Sequence, residues 1–316
     1  MPSITVTPLT TTIGARIDGV DLRRTISEED AERIRQALWS HCVIVFKSPD
    51  IGLEQQKALA SVFGPLEAVL AHRLVGDHDP VTIIDNEVWR KSAGDRLPDA
   101  SFFKDEFQGW HVDSAFGAEI PRIACLRAEL LPPVGGGTCW ANMAAGYDAL
   151  SPIMRDWLET LDVIYAPPPG YRRFLDIETQ PEDVREQWEQ ECAPRRHPLV
   201  ARHPDSGRKQ LYVNPAYAVK VDKLSGGESA MLLRYLFQHC YRPDFVYRHL
   251  WNDGDVVIWD ELATTHLAPT DYLPHERRLV RVFAGSRRIA AARDFGSLAL
   301  AAERAGPAVR PVLDRG

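Results

Sequence analysis

The order of apolar and polar positions predicts short strands and two helices in the first part of the chain. Residues 4–20 alternate in a strand-and-turn pattern. Beyond Ser27, which stands where a helix cap is expected, apolar residues recur at helical spacing and predict a helix over about 28–41. A continuous apolar run at 43–46 predicts a buried strand, and a second helix is expected over 53–63, where a Gly-Pro pair follows.

Short apolar runs continue downstream and alternate with helical and polar stretches. We expect strands at 122–131, 256–259 and 279–284, a β-hairpin formed by 199–202 and 210–213, and helices at 142–161 and 228–240. The charged, proline-opened segment 166–196 is predicted to be a lid or a binding loop, because long loops in compact domains often have such functions. Together these elements predict an α+β fold in which helices flank a double-sheet β roll, with one domain over residues 1–286 and a tail over 287–316.

Composition and charge narrow the class of protein. With 316 residues, of which 45% are hydrophobic and 26% charged, the chain can bury a sizeable core. The net charge of -7 argues against a nucleic-acid partner, and no apolar run reaches the roughly 18 residues that span a bilayer. Five scattered cysteines without a Cys-x-x-Cys pair, and an N-terminus without a signal-peptide pattern, predict reduced thiols in a cytoplasmic protein.

One stretch carries a candidate metal site. In Trp110-His111-Val112-Asp113 a histidine and a carboxylate are two positions apart, so on a strand both would point to one face while the apolar pair anchors the other. His266, which follows another apolar strand, offers a third ligand. Two histidines and one carboxylate form the facial triad of non-haem Fe(II) oxygenases, which leaves metal positions open for a co-substrate, a substrate and oxygen.

A second triplet of the same form, His203-Pro204-Asp205, competes for this assignment. It lies in a Pro-Asp-Ser-Gly turn, where an aspartate typically caps its own backbone, and the proline disrupts the strand geometry that would place both ligands on one face. We therefore interpret this triplet as structural.

Two arginines downstream of His266 indicate an anion-binding site. Arg277 and Arg281 are four positions apart, an even spacing that keeps both on one face of a strand. A guanidinium group pairs with a carboxylate through a planar fork of donors. The pair fits an enzyme that binds anionic small molecules at its metal.

Six different short motifs follow one another along nearly the whole chain. They are found at residues 13–22, 63–66, 110–116, 132–142, 203–209 and 251–260. In these motifs and their order the chain resembles the taurine dioxygenase family of Fe(II)/2-oxoglutarate-dependent oxygenases over about residues 4–285. The resemblance implies an α+β fold with a double-stranded β-helix (jelly-roll) core, flanking helices and, at 166–196, a lid insertion.

The resemblance also implies the reaction and its cofactors. It implies an enzyme that uses Fe(II), 2-oxoglutarate and O2 to hydroxylate, and in some cases thereby cleave, a small anionic organic substrate, with release of succinate and CO2. His111, Asp113 and His266 match the family's iron ligands. Thr138, 27 residues after His111, and Arg277, 11 residues after His266, match the pair that binds the distal carboxylate of 2-oxoglutarate.

The chain departs from the family pattern near the distal histidine. Arg281 matches an arginine that binds an anionic group of the substrate in several members. Between Arg281 and Gly285 the chain is one residue shorter than the pattern, which leaves Arg278 as an alternative to Arg277. The family usually carries Trp-Asp-Asn before the distal histidine, whereas this chain has Glu261 in place of the asparagine.

Three further positions are candidate substrate contacts. Tyr165 stands where many relatives carry a histidine that faces the substrate. Phe107 stands where taurine dioxygenase itself has a polar contact, so taurine is a poor candidate substrate. His72 lies at the position of a substrate-binding histidine in that enzyme. The aromatic and arginine residues at 171–174 suggest a substrate with an apolar body and an anionic group, or else simply pack the lid.

Two other functions remain open at this point. A zinc hydrolase can also use two histidines and a carboxylate, although no His-Glu-x-x-His general base is present. A non-catalytic metal-binding relative is the second alternative. The expected partners are a small-molecule substrate and O2, with neither nucleic acid nor membrane, and because relatives are commonly dimers or tetramers a homo-oligomer is expected.

Overall fold

The computed structural model describes residues 4–68, 73, 78–86, 107, 109–167, 172 and 176–292. Within these residues the strands are β1 (Thr5–Pro8), β2 (Ala15–Asp18), β3 (Val43–Phe46), β4 (Leu66–Glu67), β5 (Val81–Asp85), β6 (Ile120–Leu130), β7 (Thr138–Asn142), β8 (Asp162–Tyr165), β9 (Arg195–Pro198), β10 (Val200–Arg202), β11 (Lys209–Leu211), β12 (Ala218–Val221), β13 (Val246–His249), β14 (Val256–Asp260), β15 (Thr264–Leu267) and β16 (Arg278–Arg287). The α-helices are α1 (Glu28–His41), α2 (Leu53–Ser61), α3 (Met143–Asp148), α4 (Pro152–Leu158), α5 (Glu182–Glu191) and α6 (Gly226–Cys240). Short 3-10 helices lie at Ile177–Thr179 and Pro243–Phe245.

A large mixed sheet forms one side of the fold. Its strands run in the order β1-β2-β3-β14-β6-β16-β4, and β5 also pairs with β16. The neighbours β2 and β3 are parallel, whereas β14 is antiparallel to both β3 and β6. A smaller antiparallel sheet has the order β13-β7-β15. Strands β8, β9 and β12 form a third sheet, and β10 and β11 form the predicted hairpin.

The central strands of the large sheet are buried on both faces, because their side chains alternate between two apolar clusters. In β3, Ile44 and Phe46 pack with residues of α1 and α2. Val43 and Val45 on the opposite face pack with Trp140 of the smaller sheet. The two sheets therefore face each other across an apolar layer, with helices outside the larger one. This α+β arrangement is consistent with the predicted double-stranded β-helix core.

The predicted helices near the N-terminus are confirmed, and the predicted helix at 142–161 is wrong in one respect. Helix α1 spans Glu28–His41, and the Ser27 side chain accepts a hydrogen bond from the Asp30 backbone N–H. The stretch 142–161 forms two short helices, α3 and α4, instead of one. Ser151 caps the second helix and Pro152 occupies its first turn. Because proline disfavours helical backbone in the residue before it, the helix is interrupted there.

The segment 166–196 is not the continuous loop that its composition predicts. Helix α5 and the 3-10 helix at Ile177–Thr179 lie within it, and β9 begins at its end. In α5 the buried residue is Trp188, on an otherwise charged helix. Val184 and Trp188 are its only apolar residues, and one pair four positions apart is too short a pattern to predict a helix in a charged segment.

Beyond β16 the chain continues along β10. Ala291 forms an isolated bridge with Ala201, and the Ala292 N–H donates to the Val200 carbonyl. The remainder of the predicted tail, residues 293–316, lies outside the described residues. No helix in the described part of the chain is both long enough and apolar enough to cross a membrane.

Candidate metal centre and active site

Three side chains from distant parts of the chain converge on one point. His111 Nε2 lies 3.7 Å from Asp113 Oδ1, and His266 Nε2 lies 3.6 Å from Asp113 Oδ2. One ligand atom from each residue lies within 4.8 Å of the others. A metal ion with ligands about 2 Å away can hold atoms up to about 4 Å apart, so the set fits a single ion with little adjustment.

Backbone pairing brings the two histidines together. The His111 N–H donates to the His266 carbonyl at 2.9 Å, and the His266 N–H donates to the His111 carbonyl at 2.8 Å. His266 lies in β15 and is paired on its other side with Trp140 of β7. The smaller sheet therefore carries both imidazoles.

The predicted strand at His111–Asp113 is wrong for Asp113, although the predicted burial pattern holds. His111 forms an isolated bridge, and the chain then turns, with Ser114 in the left-handed region at φ 57°. Trp110 and Val112 are 7% and 2% exposed, which confirms them as apolar anchors. The turn, rather than strand alternation, brings the carboxylate to the histidines.

The hydrogen bond at the far side of His111 sets its tautomer. Its Nδ1 lies 2.8 Å from the Gly109 carbonyl oxygen. A carbonyl oxygen only accepts, so Nδ1 carries the proton and the Nε2 lone pair is available to a metal.

The electrostatic environment keeps the aspartate ionised and the distal histidine neutral. Burial by itself would raise the pKa of Asp113, but the positive charge of the nearby Arg281 guanidinium holds it at about 2. Arg281 Nη1 donates to Asp113 Oδ2 at 2.9 Å. Burial, followed by the neighbouring His111, lowers the pKa of His266 well below its ordinary value. An ionised carboxylate and a neutral imidazole are the forms that bind metal ions.

Glu261 is a site residue that the sequence reasoning did not assign. Its side chain is fully buried, and its Oε2 accepts a hydrogen bond from the Asp113 N–H at 3.1 Å. Burial, together with the charge of Asp113, raises the pKa of Glu261 well above its ordinary value. The available signal was its position, one residue after a buried strand and in place of the family's asparagine.

Arg277, not Arg278, joins Thr138 in a buried cationic pocket. Arg277 is 3% exposed, and its Nη2 donates to Thr138 Oγ1 at 3.2 Å. Arg278 is on the outer face, with 46% of its side chain exposed and its Nε 3.4 Å from Asp85. Trp251 Nε1 also donates to Thr138 Oγ1, at 3.0 Å. Because that oxygen accepts two hydrogen bonds, the Thr138 O–H is left to donate to a further group.

The guanidinium group in this pocket has a donor without a hydrogen-bond partner in the described part of the chain. Within the described residues, Arg277 Nε has no hydrogen-bond partner, and burial lowers the pKa of its guanidinium. Gly136 makes room for the arginine, because it has φ +67° and a Cβ there would lie 3.2 Å from Arg277 Cδ. An unpartnered guanidinium N–H beside a free hydroxyl proton suits an anionic oxygen ligand.

Of the three predicted substrate contacts, the structure describes Phe107 and Tyr165, which lie in different surroundings. Phe107 is partly buried and packs against Phe237 and Tyr241 of the helix α6 end, with ring centroids 6.3 and 6.1 Å away. Tyr165 is fully buried and its hydroxyl donates to the Tyr212 carbonyl at 2.9 Å, so its placement does not support the predicted direct contact. His72 lies outside the described residues, as do residues 171 and 173–174 of the predicted lid.

His203 has a structural role, as its turn predicts. Its Nδ1 accepts hydrogen bonds from the backbone N–H groups of Asp205 and Ser206, so its Nε2 carries the proton and donates to Asp260 at 2.9 Å. Asp260 Oδ1 in turn accepts from the Leu262 and Ala263 N–H groups. The second triplet therefore stabilises the turn that precedes His266.

Comparison of the whole sequence with known proteins gives the same family as the short motifs. Residues 5–283 match the family model described as taurine catabolism dioxygenase TauD, TfdA family. The chain is 32% identical over 274 residues to an alpha-ketoglutarate-dependent 2,4-dichlorophenoxyacetate dioxygenase of Cupriavidus pinatubonensis, covering 84% of this chain and 91% of that protein.

Solved structures agree in fold. A taurine dioxygenase from Burkholderia xenovorans superposes with a TM-score of 0.72 at 30% identity, over 96% of this chain and 99% of that one. The structure of AAD-2 in complex with Mn(II) and N-oxalylglycine also gives a TM-score of 0.72, at 28% identity, over 91% of this chain and 99% of that one.

Proposed function

The chain belongs to the taurine catabolism dioxygenase TauD, TfdA family, and on this premise we propose that it is an Fe(II)- and 2-oxoglutarate-dependent dioxygenase that hydroxylates a small anionic organic substrate. Hydroxylation can also lead to cleavage when it leaves an unstable product. The observation that carries the proposal is the convergence of two imidazoles and one ionised carboxylate on a single point.

His111, Asp113 and His266 hold the iron in this proposal. When bound, the iron and 2-oxoglutarate together activate O2, and the cofactor is oxidised to succinate and CO2. The protein's contribution is to keep three ligands on one side of the ion and to leave the other side open. Arg281 keeps Asp113 ionised, and the Gly109 carbonyl keeps His111 in the tautomer that presents Nε2.

Arg277 and Thr138 bind the distal carboxylate of 2-oxoglutarate in this proposal. The guanidinium provides the charge, its unpartnered Nε provides a further donor, and the Thr138 hydroxyl provides another. Trp251 fixes the rotamer of Thr138 through the indole N–H. A buried guanidinium without a full set of partners is costly, and a bound carboxylate removes that cost.

The substrate is expected to combine an anionic group with an apolar body. Arg281 is beside the metal ligands and its side chain is still 14% exposed, so it can reach an anion there. Its guanidinium packs over the Phe283 ring at 4.4 Å, which restricts its movement. The relative of Cupriavidus pinatubonensis, named for a substituted phenoxyacetate, has a substrate of this kind.

Succinate release tests the proposal directly. The purified protein is supplied with Fe(II), ascorbate, O2 and 2-oxoglutarate, and a panel of aryloxy- and alkylcarboxylates, sulfonates and sulfate esters is screened for stimulated succinate formation. An anaerobic sample with Fe(II) and 2-oxoglutarate should also show a weak visible charge-transfer band, which zinc does not give. Absence of the band, of bound 2-oxoglutarate and of any succinate would overturn the assignment.

Further features of the protein are part of the same proposal. We propose a single catalytic domain over residues 1–286, with the segment 166–196 acting as a lid, in a cytoplasmic homo-oligomer that has no nucleic-acid or membrane partner. The net charge of -7 supports the absence of a polyanionic partner. Sedimentation of the purified protein tests the oligomeric state, and protease protection of 166–196 by substrate tests the lid.

A further inference from the structure

The Glu261 carboxyl group lies between two of the three candidate iron ligands. Its Oε2 accepts the Asp113 backbone N–H at 3.1 Å and lies 3.9 Å from His266 Nδ1. Its other oxygen, Oε1, is also buried. One carboxyl group therefore faces both ligands.

The Nδ1 side of the His266 ring needs a hydrogen-bond acceptor when Nε2 binds a metal ion. Its Nε2 faces Asp113, and when a metal ion takes the Nε2 lone pair the proton of the neutral ring is on Nδ1. That Nδ1 is buried and, within the part of the chain that the structure describes, lacks a hydrogen-bond partner. His111 differs, because its Nδ1 is already bonded to the Gly109 carbonyl. A metal-bound histidine normally donates its second N–H to a carboxylate, a carbonyl or water.

The backbone around Glu261 is held in place by hydrogen bonds on both sides of the residue. Asp260 Oδ1 holds the N–H groups of Leu262 and Ala263, and the Glu261 N–H donates to the Arg122 carbonyl at 3.3 Å. These bonds keep the Glu261 Cβ pointing at the site. Oε2 is 3.9 Å from His266 Nδ1, so a shift of about 1 Å brings the two atoms to hydrogen-bond distance.

We infer that Glu261 is a positioning residue of the metal centre, whose carboxyl group accepts hydrogen bonds from the Asp113 backbone N–H and, once metal binds, from His266 Nδ1–H. It thereby orients two of the three ligands at once. The asparagine usual in the family is one methylene shorter, so this chain uses a longer side chain at this position. The inference rests on the proposed iron site.

The test measures metal binding without turnover, with Co(II) as the probe. The variant E261L removes both acceptor oxygens at similar volume, and E261Q keeps one. The control E159Q changes a half-buried glutamate that instead accepts from Tyr147 and Lys209. We expect E261L to weaken Co(II) binding by about 10- to 100-fold. E261Q and E159Q should stay within about threefold of the native protein.

Proton NMR of the Co(II)-loaded proteins provides a signature that a merely structural role would not change. The native protein should show two shifted, exchangeable imidazole N–H signals, and E261L should lose the one from His266. The His111 signal, protected by Gly109, serves as the internal reference. E261A replaces E261L if the leucine variant does not fold, which thermal melting of the metal-free proteins establishes.

The inference is overturned if E261L or E261A binds Co(II) as tightly as the native protein and keeps both N–H signals. It is also overturned if E261Q folds normally but binds as weakly as E261L, because an acceptor oxygen would then not be what matters. These results are separate from the proposed activity. A native protein that binds Co(II) and shows the Glu261 effect, yet makes no succinate with Fe(II) and 2-oxoglutarate, would overturn the activity alone.

Discussion

Arg277 Nη2 donates to Thr138 Oγ1 at 3.2 Å, although the two residues are 139 positions apart in the chain. The contact joins the start of β7 to the residue before β16, and so connects the smaller sheet to the larger one. It also decides which of two adjacent arginines faces inward. The buried guanidinium and the hydroxyl with a free proton together form the cationic pocket. Thr138 lies in β7, which pairs with β15, the strand that carries His266.

Replacing Arg277 with lysine should weaken binding of 2-oxoglutarate. The R277K variant keeps the charge but loses the planar fork of donors, so the apparent dissociation constant should rise by about 10- to 100-fold. Titration of anaerobic Fe(II) protein with 2-oxoglutarate, followed by the visible charge-transfer band, measures the change.

The neighbouring arginine is the matched control for this prediction. Arg278 is exposed and pairs with Asp85, so R278K should change the constant by less than about twofold. If R278K is the weaker binder and R277K is normal, the assignment of the cofactor arginine is wrong.

Replacing His111 with alanine should abolish succinate formation and leave the fold intact. The side chain is a proposed metal ligand, whereas the contact between His111 and His266 that joins the two segments is made by backbone atoms. Circular dichroism and thermal melting should therefore resemble the native protein, and added Fe(II) should not restore turnover. Treating the native enzyme with a chelator should give the same loss, reversed by Fe(II). Activity surviving in H111A would exclude His111 as a ligand.

The three residues of the candidate metal centre could be picked out from the sequence because their signal is local or belongs to a motif. Trp110 and Val112 alternate with His111, and their burial confirms the anchoring face. The path of the chain at Asp113 could not be predicted. A strand and a turn both place residues i and i+2 near each other, and the local sequence does not distinguish the left-handed backbone at Ser114 from a continued strand.

The role of Glu261 was not predictable for a different reason. Its contact with Asp113 spans 148 residues, and in sequence it stands only as a departure from the family pattern. The same limit applies to Trp251, whose indole reaches Thr138 across 113 residues. Such contacts are created by the packing of two sheets, and neither periodicity nor residue type indicates them.

Replacing Arg281 with lysine should separate substrate binding from iron binding. Lysine keeps a positive charge near Asp113, so Fe(II) affinity should change by less than about threefold. The anionic substrate loses a two-pronged donor, and its KM should rise by about 10- to 100-fold. Decarboxylation of 2-oxoglutarate without substrate should continue in R281K. A KM that is unchanged in this variant would show that the substrate anion binds elsewhere.

Stability should fall as the pH decreases from about 6.5 to about 4, in part because of His197. Burial among Tyr165 and Tyr212, and then the charge of Arg195, lowers the pKa of this histidine to about 4. The unfolded chain takes up the proton near pH 6.5. Between these values the unfolded state binds more protons than the folded state. The contribution of His197 to the free energy of unfolding is therefore complete above pH 6.5 and decreases below it.

The variant H197N isolates this contribution, because asparagine does not titrate. Over that pH range the native protein should lose about 3 kcal/mol more of its unfolding free energy than H197N. Urea unfolding at a series of pH values measures the difference. The variant H78N removes an exposed histidine instead and should follow the native curve. Burial also lowers the pKa of His266, so the native curve contains more than one contribution and the difference between the variants isolates that of His197. Identical slopes for H197N and the native protein would mean that His197 is protonated with the same pKa in both states.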